Sequence, residues 1–192
     1  MESVVIDLAA EGGEAIRIEM TKSEFLNWDP DDGFLYEFDA GFAEPTTGMK
    51  KEERYIVRNL QRAFKKTTAY TADALLLEES EVWLTPDQKR IPDVSLFTDQ
   101  QIQDSLTEAN DPIPAFVVEI ISPTDVAGKV ERKVLEYFEA GVQVVWHIYP
   151  DLRMVRVMTS PKVAHSFFGE DTFDAAPVLP DLHLTVQDLF SL

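Results

Sequence analysis

Cysteine is missing from the chain, which excludes disulfides, thiolate nucleophiles and cysteine-ligated zinc or iron–sulfur sites. Long apolar runs are missing as well. None approaches the ~20 residues a spanning helix needs, and the opening "MESVVIDLAAEGGEA" has neither a basic leader nor a signal-type apolar core. A cytoplasmic protein with no membrane attachment is expected. No Gly/Ser-rich or Pro-rich stretch reads as a linker and no internal repeat is visible, so residues 1–192 are expected to form one domain around one sizeable core. The patterns G-x-x-x-x-G-K-[ST], G-x-G-x-x-G and G-x-S-x-G are also absent, which argues against nucleotide-dependent chemistry and a serine triad. His147, His165 and His183 lack metal-ligand spacing, and His147 in its apolar run reads as a packed residue.

Basic charge is scarce. Seventeen Lys and Arg against 35 Asp and Glu leave a net charge of −18, which repels a polyanion at long range. The deficit is uneven, because "KKEERYIVRNLQRAFKK" holds Lys50, Lys51, Arg54, Arg58, Arg62, Lys65 and Lys66. Salt screens exposed charges beyond ~10 Å, so local sign outweighs the total at contact distance.

Along the chain, "TKSE" at Thr21 has the capping-box form and starts a short helix. "FLYEF" and "DAGFAE" read as a hairpin. Residues 50–66 place Ile56, Leu60 and Phe64 on one helical face. Strand-like runs follow in "ADALLLEES", "EVWLT", "PDVSLFT" and "AFVVEII", the first two read as a pair, and the polar stretch 99–114 reads as a loop. A second helix, "DVAGKVERKVLEYFEAG", takes Asp125 as its cap and Gly141 as its C-terminal stop. It leads into "VQVVWHIYP" and "MVRVMT", so "AFVVEII" and "VQVVWHIYP" should pair in parallel across a crossover. "HSFF" and "LHLTVQDLF" add an edge strand and a short final helix.

One residue breaks the apolar run "FVVEIISP". Glu119 sits at its centre, and a carboxylate taken out of water costs several kcal/mol unless a cation, a metal or a cleft compensates it, on the order of the penalties for buried ions. Asp93 opens the run "PDVSLFT". If the two strands are neighbours their carboxylates converge, and two hard oxygen ligands with a backbone carbonyl and waters suit Mg²⁺ or Mn²⁺. On the second helix Val126, Val130, Val134 and Tyr137 form the apolar stripe, and Lys133 falls within it, directed at the sheet, where it could orient or help deprotonate a water. Lys129, one turn earlier, is less central. On the first helix Glu53 lies on the apolar side, while Lys51, Arg54, Arg58, Arg62 and Lys65 form a basic stripe facing solvent or a phosphate backbone.

"IPDVSLF", "FVVEIISPTD" and "KVLEYFEAGVQVVWHIYP", with the upstream "MTKSEFLNWDPDDGFLYEFDAG", resemble the PD-(D/E)xK superfamily of metal-dependent nucleases, in particular its large bacterial family of restriction-endonuclease-like proteins. The resemblance covers roughly Met20 to the C-terminus. It implies an α/β (α+β) fold with a restriction-endonuclease-like αβββαβ core, a mixed central sheet, an N-terminal hairpin and C-terminal strand additions. It further implies a metal held by Asp93, Glu119 and the backbone of Ile120, with Lys133 and Glu53 in the catalytic group. The departures are specific: Ile121 stands where the motif name expects lysine, so Lys133 must supply that charge from the following helix. Glu53 stands where relatives carry a histidine, and Tyr149-Pro150 replaces an Asp-Pro.

The resulting expectation is a Mg²⁺- or Mn²⁺-dependent endonuclease acting on DNA, in a homodimeric or other homo-oligomeric state. The alternative is a catalytically inactive interaction module that keeps the nuclease fold, in which Glu119 and Lys133 form a core ion pair; the charge of −18 favours it. Glu37, in "LYEFDAG", could approach the cleft from the hairpin, but a solvated strand position is the favoured reading.

Overall fold

Thr21 starts the first helix as its pattern predicts: its Oγ1 accepts the Glu24 N–H at 3.2 Å, and the Glu24 carboxylate accepts the Thr21 N–H at 2.7 Å. The computed structural model describes residues 17–46, 48–107 and 112–192. Its first elements are β1 (Ile18–Glu19), α1 (Lys22–Leu26) and the expected hairpin of β2 (Leu35–Asp39) and β3 (Phe42–Thr46). A 3₁₀ turn, Lys51–Glu53, leads into α2 (Arg54–Phe64), followed by the single turn α3 (Thr68–Thr71). The helix read over 50–66 is therefore shorter than its pattern, and Glu53 stands at the junction of turn and helix. Buried Ile56, Val57, Leu60, Ala63 and Phe64 attach α2 to the core, each large one contributing about 1.5–3 kcal/mol.

Next come β4 (Leu75–Glu78), β5 (Val82–Thr85), β6 (Gln88–Arg90) and β7 (Val94–Phe97), then α4 (Asp99–Ser105) and β8 (Phe116–Ile120). The remainder is α5 (Ala127–Ala140), β9 (Val144–Tyr149), β10 (Met154–Ser160), β11 (Val163–Phe168), β12 (Thr172–Ala175), β13 (Leu179–Thr185) and α6 (Val186–Leu189). The central sheet runs β11-β10-β9-β8-β7-β4, and within it only β8 and β9 pair in parallel. Helix α2, strands β4, β7 and β8, helix α5 and strand β9 give the αβββαβ order, with β10 and β11 added at one edge. A second sheet, β1-β3-β2-β6-β5, contains the hairpin, and β12 and β13 form a small third one.

Three expectations are corrected. "EVWLT" does not pair with "ADALLLEES"; β4 pairs with β7, and β5 joins the second sheet through the three-residue β6. Both faces of β5 are apolar: Val82 and Leu84 pack with Val134 and Tyr137 of α5, and Trp83 packs with Phe25 and Phe38. Such a strand needs cover on each face, which its place between α5 and the hairpin supplies. The stretch read as a loop begins with α4, capped by Thr98 and Gln101 in a second capping box. Asp125 is not the cap of α5. Val126 occupies that position without a side-chain bond, and Asp125 Oδ2 accepts the Ser122 N–H at 2.7 Å instead. Gly141 does stop the helix, at φ 109°, a conformation that glycine adopts without strain.

The two faces of the central sheet are packed differently. Phe116, Val118 and Ile120 point with Trp146 and Ile148 toward α2, α6 and β13. Val117 and Val145 point the other way, toward Val134 and Tyr137 of α5. Alternation puts Glu119 on this second face, beneath α5.

Candidate active site

Strands β7 and β8 pair with Val94 opposite Val118 and Ser95 opposite Val117. Continuing that antiparallel register by one residue brings Asp93 opposite Glu119. The approach is fixed by a side-chain bond, because Asp93 Oδ2 accepts the Ile120 N–H at 2.6 Å and takes over where β7 no longer reaches. Glu119 is 9% exposed, and its Oε1 accepts the Tyr137 hydroxyl from α5. The second oxygen of each carboxylate makes no hydrogen bond among the described residues. Both residues line one cleft of about 360 Å³, together with Glu53, Glu79, Lys133 and His147.

Lys133 enters the cleft from α5 as the helical wheel predicts. Its Nζ lies 2.7 Å from Glu37 Oε1 and 3.7 Å from Glu119 Oε1. Glu37 is therefore the closer partner, and the expectation that it is solvated is wrong. It is 7% exposed and accepts the Ile91 N–H at 3.1 Å, with Arg90 Nη1 at 3.5 Å. Arg90 in turn reaches Asp39 at 3.0 Å and Glu136 at 2.8 Å. A chain of charges thus runs from the second sheet through Arg90, Glu37 and Lys133 to Glu119. Lys129, the lesser candidate, lines the cleft but is paired with Glu44 at 2.8 Å.

Burial, and then the charge of Glu119, hold the Asp93 carboxyl well above its ordinary range; the Ile120 N–H and Lys133 act in the opposite direction. Burial also raises Glu119, against the pull of Lys133, with Glu37 adding to the rise and the Tyr137 hydroxyl opposing it. The two acids are a coupled pair that surrenders its protons reluctantly. For Lys133 burial favours the neutral amine, but Glu119 and Glu37 outweigh it and raise the group above its usual value. Its charge suits it to orient a water or to act as a fixed cation. Burial and the neighbouring Arg156 and Lys133 lower His147 to about 4, so it is neutral at physiological pH, packed as expected.

Glu53 lines the cleft and also accepts the Lys50 N–H at 2.9 Å, so its inward position and its helix-end role coexist. Ile121 holds its place beside β9 by donating its N–H to the Ile148 carbonyl at 2.7 Å, and it carries no charge into the cleft. Glu79 is a further lining residue, its Oε1 accepting the Met49 N–H at 2.6 Å. Among the described residues no three His, Asp or Glu side chains form a ready metal cage. The donor set at hand is two carboxylates with free oxygens, which suits a hard cation that keeps several waters.

Tyr137 was not legible as a site residue, because it reads as one more member of an apolar stripe; the approach of Glu37 from the hairpin was the less favoured of its two readings. Tyr137→Phe removes the donor that helps Glu119 carry charge, and is expected to lower stability by about 1–3 kcal/mol. The loss should grow as pH rises through the Glu119 titration, which a thermal-melt series against pH would measure. A loss independent of pH would mean that the hydroxyl does not serve the ionised carboxylate.

A family model described as "Uma2: Putative restriction endonuclease" matches residues 23–187. The chain is also similar to the crystal structure of a putative nuclease from Anabaena variabilis: TM-score 0.73 and 22% identity over 88% of this chain and 96% of that one. No curated protein matches.

Proposed function

The chain belongs to the Uma2 family of restriction-endonuclease-like proteins, and on that premise we propose that it is a Mg²⁺- or Mn²⁺-dependent DNA endonuclease that hydrolyses phosphodiester bonds in the cleft at Asp93 and Glu119. The observation that carries this reading is the placement of Asp93 opposite Glu119 on adjacent strands, each with one carboxylate oxygen unbonded among the described residues. Two carboxyls on adjacent strands, each with an oxygen facing the cleft, are an arrangement that suits a hard divalent ion.

Asp93, Glu119 and the Ile120 carbonyl would hold the ion. When bound it would neutralise charge on the scissile phosphate and lower the pKa of water at that position. The rest is supplied by the chain. The Ile120 N–H fixes Asp93, the Tyr137 hydroxyl fixes Glu119, and Lys133 presents a positive charge to the developing oxyanion. Glu37 holds Lys133 in that place and sets its reach. Glu53 stands on the cleft wall, where it can accept from a bound water.

A second reading is favoured by one distance. Lys133 is tied to Glu37 at 2.7 Å more closely than to Glu119 at 3.7 Å, which suits a structural ion pair in an inactive interaction module. End-labelled single-stranded and duplex DNA, incubated with Mg²⁺, Mn²⁺ or chelator, separates the two. The nuclease reading expects metal-dependent cleavage and calorimetric Mn²⁺ binding, both lost in Glu119→Gln; no metal binding by the parent chain would sink it.

A further inference from the structure

Seven of the 17 Lys and Arg residues, Lys50, Lys51, Arg54, Arg58, Arg62, Lys65 and Lys66, lie within residues 50–66. None of them makes an ion pair among the described residues, whereas Arg17, Lys89, Arg90, Lys129, Lys133 and Arg156 all do. A chain with 35 acids could readily neutralise its own cations. Here all seven are exposed, and among the described residues Lys50 and Arg58 make hydrogen bonds only to neutral partners, Ser122, Asn59 and Ser191. Arg54, Arg58, Arg62 and Lys65 recur on the outer face of α2, opposite buried Ile56, Leu60 and Phe64. At ~1.5 Å rise per residue they set a cation about every 6 Å over roughly 17 Å, the length of about five phosphates along one strand of duplex DNA.

The row begins at the candidate active site. Arg54 and Arg58 line a shallow groove whose wall includes Met49 and Glu79, and both of those residues also line the catalytic cleft. Glu78 and Glu79 are the acids of that groove, and Glu79 is turned onto the Met49 N–H. Lys50 lies across the cleft mouth, its Nζ donating to Ser122 Oγ at 2.9 Å. We propose that this stripe is the track along which the DNA phosphate backbone runs from the cleft, held through its phosphates without readout of base sequence. The proposal rests on the nuclease reading only in taking the cleft as the point where the strand is cut. Because contact-range attraction works against the repulsion of an acidic body, binding should be confined to this face and should weaken steeply with salt.

The test is fluorescence anisotropy of labelled single-stranded and duplex DNA with the full chain in chelator, across a salt series. It compares the parent with the triple variant Arg54→Glu, Arg58→Glu, Arg62→Glu, whose positions are exposed, with circular dichroism as the check on folding. The track predicts at least a tenfold loss of affinity in the triple variant. Single Arg→Ala changes should each reduce the salt slope by about one. A triple variant that binds and cleaves like the parent overturns the track and leaves the active-site reading intact. Stripe-dependent binding by a parent chain that never cleaves with Mg²⁺ or Mn²⁺ supports the track and sinks the nuclease reading. If the parent fails to bind DNA, and sedimentation instead shows a dimer that the triple substitution dissociates, the stripe contacts an acidic face of a second copy and the track is overturned.

Discussion

On the nuclease reading, Asp93→Asn is expected to abolish cleavage of DNA with Mg²⁺ or Mn²⁺ and yet to melt above the parent at neutral pH. The two effects share a cause. The folded chain holds Asp93 well above its usual pKa, by burial and by the charge of Glu119. A carboxyl with a raised folded-state pKa contributes stability below its unfolded value, and that contribution is lost as pH rises through the folded value. At neutral pH the raised pKa of Asp93 therefore counts against the fold. Asparagine removes the charge while its amide oxygen still accepts the Ile120 N–H that now bonds Asp93 Oδ2 at 2.6 Å. A melting temperature higher by ~2–8 °C is expected at pH 7.5, in the range of single charge-relieving changes in a chain of this size. The difference should vanish below about pH 4, where the unfolded carboxyl is itself protonated. Cleavage should fall by on the order of 10²–10³ or more, the scale for loss of a group that stabilises the transition state. Mn²⁺ should raise the melting temperature of the parent and leave that of the variant unchanged. A variant that melts far below the parent would show that Asp93 is held for structure; one that cleaves as well as the parent would remove it from the chemistry.

The same pair of acids marks where the sequence was readable. Asp93, Glu119 and Lys133 were legible because each is an exception in an otherwise regular pattern: an acid heading an apolar strand, an acid within one, and a lysine inside an apolar helical stripe. The parallel pairing of β8 with β9 follows from the length of the crossover, whereas the pairing of β7 with β8 that brings Asp93 to Glu119 was a condition of the reading. Glu37 was legible only as the less favoured of two readings. In "FLYEF" an acid between two aromatics looks like the solvent side of a strand, and the lysine that buries it lies 96 residues away. Tyr137 hid in the opposite manner, since an aromatic ring in an apolar stripe gives no hint that its hydroxyl has a buried partner. Strand β6 carries Gln, Lys and Arg and has no apolar signature at all. It exists because β2 and β5 need a strand between them, a tertiary requirement. Helix α4 did leave a local sign, Thr98 three residues before Gln101, but its single inward Ile102 gave no periodicity to accompany it.

Arg90→Met should be the most destabilising single change in the charge network. The guanidinium is 5% exposed, and Glu136, Glu37 and Asp39 keep it charged despite burial. It joins β6 to α5 through Glu136 at 2.8 Å, and to β2 through Glu37 at 3.5 Å and Asp39 at 3.0 Å. Methionine fills much of the volume but leaves these acids facing one another, half of a broken buried ion pair, at about 3–5 kcal/mol. Denaturant melts should record that loss at pH 8 and a smaller one toward pH 5, because carboxyls deprived of their cation rise in pKa and the folded chain then gains on protonation. Arg90→Lys should fall between, since one ammonium cannot fork to acids on two sides. Glu37→Gln placed on Arg90→Met should recover part of the loss, giving a coupling energy of about 0.5–3 kcal/mol between the two positions. Glu37 also holds Lys133 at 2.7 Å, so the variant should lose cleavage beyond what the unfolded fraction explains. If Arg90→Met melts within a degree of the parent, the second sheet and α5 are held together without Arg90, by the apolar contacts of Val82, Leu84, Val134 and Tyr137 and by the Lys133–Glu37 and Lys129–Glu44 pairs, and the placement of Lys133 must be explained without Arg90.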